Sequence, residues 1–378
     1  MRISLTRAAL LGVLSAATVD AQSVAVTLLS TREVALDGGA TEMRGLVALD
    51  ISGTRVPKRF VLRVPPVATW NGGLVIGAHG GSGGDNYDRS GKVIGTDESA
   101  LDDVVGRQAL SMGFAYASVD RDGAGAWREG YGLTRQFTRI AAEQVARRLG
   151  RAPARTYLVG LSAGGGIARL AAEDSLRAYA GVLIIAGAGG DRPTRLDRQR
   201  RMAELWPQVD PRTRPELPAD SPLLRAYADA VGTPIAARRL WPYTGASAVA
   251  ATSRAAPART DDATGVVQVP TIEVVGSWDD LVIREIRAYD ARVRPRDLHR
   301  LYEVDGAWHM SPDDDGVWSF QYIAETRMKL GSDVADAMGE GASYLPTVRD
   351  AFRHPVRWVE QSVPPPPSRV VRPADGLQ

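Results

Sequence analysis

From Thr156 to Ala172 the chain reads Thr156-Tyr157-Leu158-Val159-Gly160-Leu161-Ser162-Ala163-Gly164-Gly165-Gly166-Ile167-Ala168-Arg169-Leu170-Ala171-Ala172. A short apolar run enters a cluster of small residues, and a helical run leaves it. The centre, Gly160-Leu161-Ser162-Ala163-Gly164, matches G-x-S-x-G, a strand that turns sharply into a helix with the serine at the apex. Backbone at such an apex is strained, and a side chain two positions to either side would collide with the turn. The helix that starts there adds positive potential where a negatively charged oxygen would form. Glycine and serine are common, so the plain alternative is an ordinary glycine-rich turn. The apolar strand before it and the helical run after it favour the strained apex.

Outward from this point the same theme repeats. Short apolar runs stand at Leu74 to Ala78, Phe114 to Val119, Thr156 to Gly160, Val182 to Ala186, Thr271 to Val275 and Arg300 to Val304. Helical stretches separate several of them; Phe137, Ile140, Ala141, Val145 and Leu149 fall at helical spacing, and Gly150 supplies a left-handed stop. Continuous apolar strands alternating with helices predict an α/β fold, a mostly parallel, doubly wound sheet covered on both faces. Three further strands, Ser23 to Val34, Arg44 to Ser52 and Lys58 to Val64, precede it.

Asp191 to Val267 breaks the rhythm. It is rich in Arg, Pro and Ala and shows no clear strand, so residues 191–267 read as a helical lid inserted over the C-terminal edge of the sheet. The charged stretch Arg192 to Arg201 reads as a solvated helix face. Leu345 to Val363 reads as a last helix, kinked or broken at Pro355, and the proline run Pro364 to Pro367 opens a tail, 364–378, expected to hang free. The core is then 22–190 together with 268–363.

Composition narrows the chemistry. The 378 residues carry 46 basic and 44 acidic side chains, a net charge of +2, and no basic stripe that would suit nucleic acid. There is no cysteine, which excludes thiol nucleophiles, cysteine zinc sites, iron–sulfur clusters and disulfides. Arg2 and Arg7, the apolar run Ala8 to Ala17 and the small-residue site Val19-Asp20-Ala21 read as a cleaved signal peptide over 1–21, hence a secreted or periplasmic protein. The run is shorter than the roughly 20 residues of a spanning helix, so no stable membrane insertion is expected after cleavage.

A serine hydroxyl needs a base. The four histidines are His79, His299, His309 and His354. His309 follows the last strand, in the loop at the C-terminal edge where ligands bind in open α/β folds. His299 starts that strand, at the wrong edge, and reads as structural; His354 reads as a surface residue. Behind the base an acid is needed. Asp279 and Asp280 both follow the strand at 271–275. Asp279 is preferred on spacing, with Asp280 kept as the alternative; the other is then a solvated loop carboxylate. The order Ser, Asp, His is the one this arrangement requires. An oxyanion would be held by the backbone amides of Ala163 and Gly81, the latter in the loop His79-Gly80-Gly81-Ser82-Gly83-Gly84, with His79 holding that turn. Trp278 and Trp308 flank the acid and base; they read equally as substrate-binding surface or as packing. Asp313-Asp314-Asp315 lacks the spacing of a calcium loop, so no metal is expected.

With these residues in view, the sequence resembles the α/β-hydrolase superfamily from about residue 60 to residue 363. Within it the order of blocks is similar to secreted esterases of the tannase and feruloyl-esterase group. The matching pieces are Val64-Pro65, Trp70-Asn71-Gly72-Gly73, the loop at 80–84, Gly113 to Asp120, Gly160 to Gly165 and Val356 to Glu360. That group ties a cysteine just before the nucleophile to one just after the histidine; here those places hold Leu161 and Met310, so that link cannot form. The resemblance implies a serine hydrolase that cleaves carboxylic esters, small or polymeric, through an acyl-enzyme intermediate and without a cofactor. Two other readings stand beside it: a peptidase or amidase with the same three residues, and a non-catalytic binding protein on the same scaffold. No blade-sized repeats precede the core, as a propeller-bearing peptidase would show.

Overall fold

Strands that are apolar on both faces must be covered on both faces, and the chain meets this demand with one large sheet. The computed structural model describes residues 28–80, 85–87, 93–96, 105–120, 127–252, 263–309, 331–373 and 375–377. Its strands are β1 (Leu28–Ala35), β2 (Thr41–Ile51), β3 (Thr54–Val64), β4 (Gly73–Ala78), β5 (Asp85–Tyr87), β6 (Val93–Thr96), β7 (Ala115–Val119), β8 (Arg155–Leu161), β9 (Gly181–Ile185), β10 (Thr271–Gly276), β11 (His299–Val304) and β12 (Arg369–Val371). All but β5 and β6, which pair with each other, join one sheet in the order β1-β2-β3-β7-β4-β8-β9-β10-β11-β12. The first three strands form an antiparallel meander, and β3 meets β7 antiparallel. From β7 to β12 every pairing is parallel.

The helices are α1 (Arg107–Ser111), α2 (Trp127–Leu149), α3 (Ala163–Glu173), α4 (Arg192–Val209), α5 (Pro222–Val231), α6 (Trp241–Thr252), α7 (Ile283–Arg292), α8 (Ser332–Gly339) and α9 (Leu345–Gln361). Successive strand residues serve opposite faces. On one face Ile76, Leu158 and Ile184 pack with Phe137, Ile140 and Val145 of α2. On the other, Val75, Val159 and Leu183 pack with Val348, Ala351 and Phe352 of α9. The doubly wound α/β sheet expected from the sequence is thus the observed one.

Residues 191–252 of the insertion are helical and hold a small core of their own. Met202 and Trp206 of α4 pack with Leu224 and Tyr227 of α5 and with Trp241 of α6. Asp191 caps α4 by accepting the Thr194 amide at 3.0 Å. One expectation fails here. The charged stretch at the start of α4 is not wholly solvated, because Arg198 is buried and points down to Glu285, at 3.3 Å, and to the Asp280 carbonyl.

Three further corrections concern the C-terminal part. The last helix is not broken at Pro355, which lies buried inside the continuous α9. His354 is half-buried rather than at the surface. The tail does not hang free. It adds β12 to the sheet beside β11, the Tyr302 hydroxyl donates to the Pro366 carbonyl at 2.6 Å, and Val371 and Leu377 are buried. The proline run sets an extended path, and the apolar residues beyond it bring the chain back onto the core.

Burying Val371 and Leu377 stabilises by about 1.5–3 kcal/mol each. Ending the chain after Val363 should therefore lower the unfolding free energy by about 3 kcal/mol or more in urea titrations. An unchanged midpoint and slope would show that the tail adds nothing.

Candidate active site

The apex residue Ser162 sits between β8 and α3 with φ 50° and ψ −115°. A non-glycine residue there costs about 1–3 kcal/mol and persists only where its surroundings fix it. Here they do. The Ser162 amide donates to the Ile185 carbonyl at 2.8 Å, and the Ser162 carbonyl accepts from the amides of Ala188 at 2.7 Å and Gly165 at 2.9 Å. The motif glycines are demanded by backbone contact. A Cβ on Gly160 would lie 2.4 Å from the Gly164 oxygen, and one on Gly164 would lie 2.0 Å from the Ala78 oxygen. Across the turn, a Cβ on Gly80 would meet Ser162 Cβ at 3.0 Å.

A buried brace lies behind this turn. Arg169 of α3, fully buried, donates to the carbonyls of Gly187, at 2.9 Å, and Ala188, and pairs with the equally buried Glu273 of β10. The segment it grips is the one whose amide bonds Ser162. Breaking such a pair on one side leaves a buried charge without its partner, which costs several kcal/mol. Sequence reasoning missed it, although Glu273 is a charge inside an otherwise apolar strand and so had to be paired.

His309 follows β11 at the same edge and is buried. Its Nδ1 lies 2.7 Å from Asp279 Oδ2 and its Nε2 lies 3.0 Å from Ser162 Oγ. A carboxylate accepts and does not donate, so the ring proton sits on Nδ1 and the Nε2 lone pair faces the serine hydroxyl. Asp279 also accepts the Leu281 amide at 3.1 Å. Its loop touches the histidine loop, since a Cβ on Gly276 would lie 2.1 Å from the Ala307 oxygen. The Tyr344 hydroxyl donates to the His309 carbonyl at 2.9 Å and holds the loop from the far side. Ser162, His309 and Asp279, widely separated along the chain, thus form one connected set.

The other sequence candidates fall out as follows. Ala163 is the first residue of α3, so its amide has no acceptor within the helix. Gly81 and Asp313 to Asp315 lie outside the described residues. His79 is buried and donates from Nδ1 to the Gly80 carbonyl at 2.7 Å, with Asp120 3.5 Å from its other nitrogen. His299 is buried at the opposite edge, 3.1 Å from Asp290. Among the described residues no cluster of His, Asp and Glu is arranged to hold a metal.

Two expectations are corrected. Trp308 offers no surface to a substrate: it is fully buried and packs edge-on against His309, with ring centroids 6.3 Å apart. Trp278 is half-buried against the core. Asp280 is not a solvated loop carboxylate. It is fully buried, accepts from the Thr244 hydroxyl and lies 3.4 Å from Trp308 Nε1. Burial pushes its carboxyl up to about 7; the Thr244 bond opposes that and the neighbouring Asp279 charge adds to it. In the sequence two adjacent aspartates look alike; only the lid packed over one of them separates their environments.

A model of the alpha/beta hydrolase domain matches residues 116–376. No curated protein sequence matches the chain. Among solved structures, feruloyl esterase B from Aspergillus oryzae is similar with a TM-score of 0.51 at 12% identity, covering 90% of this chain and 88% of its own. An esterase from Aspergillus oryzae gives 0.54 at 12% identity with the same coverage. At that identity the likeness is one of fold.

Asp280 also predicts a pH signature. Unfolded, it titrates near 3.9; folded, near 7. Between these values the folded state keeps a proton that the unfolded chain has released, so this group's contribution to stability is lost as pH rises from about 4 to about 7. Asp280→Asn cannot titrate. Its urea stability relative to the parent should improve between pH 5 and pH 8; a difference that is the same at both pH values would contradict the buried, proton-retaining carboxyl.

Proposed function

The chain belongs to the alpha/beta hydrolase domain family, and on that premise we propose that it is a serine hydrolase of carboxylic esters, with Ser162 as nucleophile, His309 as base and Asp279 as the acid behind it. The observation that carries this reading is the continuous hydrogen-bonded line from Asp279 through His309 to the hydroxyl of a strained, half-buried serine. The fold shared with two esterases supports it.

In this mechanism His309 Nε2 takes the Ser162 proton as Oγ attacks the ester carbonyl carbon. The carbonyl π pair moves to oxygen, where the Ala163 amide, the positive end of α3 and the Gly81 amide hold the charge. Collapse of this intermediate breaks the bond to the alcohol oxygen, and His309 returns the proton to the leaving alcohol. Water then attacks the acyl carbon and gives a proton to His309; collapse of this second intermediate breaks the bond to Ser162 Oγ, which takes that proton back as the acid leaves. Asp279 fixes the Nδ1–H tautomer and stabilises the imidazolium each time it forms. The step needs no cofactor.

The proposal extends to location. Residues 1–21 are read as an export leader, which puts the mature chain in the periplasm or outside the cell. No helix of the described residues is long and apolar enough to cross a membrane. N-terminal sequencing of protein recovered outside the cytoplasm should start at Gln22; an N-terminus at Met1 or Arg2 would reject the leader.

Ser162→Ala should lower turnover of p-nitrophenyl acyl esters at least about 10³-fold with folding unchanged by circular dichroism. Retained turnover would remove Ser162 from the mechanism. A panel of aryl esters against aminoacyl amides fixes the bond class, and faster amide cleavage would put a peptidase in place of the esterase. Failure of the parent protein to react with a fluorophosphonate probe would leave the non-catalytic scaffold reading.

A further inference from the structure

The lid does more than cover the sheet edge. Its helix α6 reaches the loop that carries the acid, and it does so with a buried polar contact. Thr244 is buried on α6, and its hydroxyl donates to Asp280 Oδ2. The other carboxyl oxygen of Asp280 faces Trp308 Nε1 at 3.4 Å. Trp308 immediately precedes His309 and packs edge-on against its ring, at an interplanar angle of 73°. Tyr243, next to Thr244 on the lid, packs edge-on against Trp308, with centroids 5.3 Å apart at 88°. On the other side of the loop, Arg198 of α4 donates to the Asp280 carbonyl. Two lid helices therefore grip Asp280, the neighbour of the acid, and one of them also grips the tryptophan beside the histidine.

A buried carboxyl is an expensive way to fill this space, since an apolar side chain would fit without the loss of hydration. Once ionised, the carboxyl supplies two acceptors at a fixed angle, able to tie a hydroxyl on one element to an indole on another. From these contacts we propose that Asp280 is a positioning residue through which the lid, by way of Thr244 and Trp308, holds the His309 imidazole in line with Ser162. The inference rests on the serine-hydrolase reading of that set. The charged and titratable groups that face Asp280 are the Asp279 carboxylate beside it, the Arg198 guanidinium of α4 and the Tyr227 hydroxyl of α5.

The test uses the full chain with Thr244→Val, which keeps the shape and removes the donor, and Thr244→Ser, which restores it. Active sites are counted with a fluorophosphonate probe, and kcat and KM for a p-nitrophenyl ester are expressed per counted site. The expected result is a fall in kcat of about tenfold in the valine variant, with KM within about twofold, and recovery of kcat in the serine variant. Asp280→Asn is the second variant, because an amide oxygen can accept from only one of the two donors; it should lose kcat in the same way. A lower melting temperature with kcat per site unchanged would overturn the proposal and leave the contact as packing alone. A rise in KM with kcat unchanged would also overturn it, by assigning Thr244 to substrate binding. If the unmodified chain gives no labelled sites, the hydrolase reading itself has failed, and this inference falls with it.

Discussion

Ser162 can keep its left-handed backbone because backbone, and not side chain, surrounds it. Gly160 and Gly164 allow the strand and helix to close on each other, and Gly80 brings the next loop against the serine Cβ. The carbonyl of Ser162 is then anchored to the Ala188 amide, and the segment of Ala188 is anchored in turn by the Arg169–Glu273 pair. The strain is thus borne by a chain of contacts that runs through β8, β9, β10 and α3. What it delivers is a hydroxyl standing clear of the sheet edge, within 3.0 Å of a histidine supplied by a distant part of the chain.

Much of this was legible in the sequence, for reasons that can be named. The strands at 74–78, 182–186 and 271–275 announce themselves because both faces are apolar, a pattern with few other outlets in a chain of this length. That Ser162, Asp279 and His309 meet follows from one rule, that the loops beyond the C-terminal ends of parallel strands converge on one edge. What escaped notice depends on tertiary context. Asp280 acquires its environment from α4, whose faces mix Arg with apolar residues, and from α6, made mostly of small and apolar residues with a buried Thr244; neither gives a sharp pattern. Arg198 looked solvated for the same reason. The tail was misread because four prolines suggest a free segment, while Val370-Val371 and Leu377 carried the contrary signal.

The lid and the core also divide their labour in burial. The lid has its own apolar centre around Trp206, Tyr227 and Trp241, and it joins the main core through Leu240 and Tyr243. Its contact with the acid loop is polar, where Thr244 and Arg198 meet the Asp280 side chain and backbone, while Tyr243 packs on Trp308 beside the histidine. Hydrogen bonds fix direction where apolar packing fixes only distance. A surface that must set the angle of an imidazole has more use for the first.

The short strand contributed by the tail has a consequence for solubility. An open sheet ends in rows of unpaired backbone groups that invite another chain to add on. Without β12, that row would belong to β11, a six-residue strand with four buried positions. With it, the rim consists of three residues, Arg369, Val370 and Val371, only one of them buried. So brief a template, starting with a cation, is a poor seed for edge-to-edge growth. On this side of the sheet, then, the tail replaces an open edge of six residues with one of three.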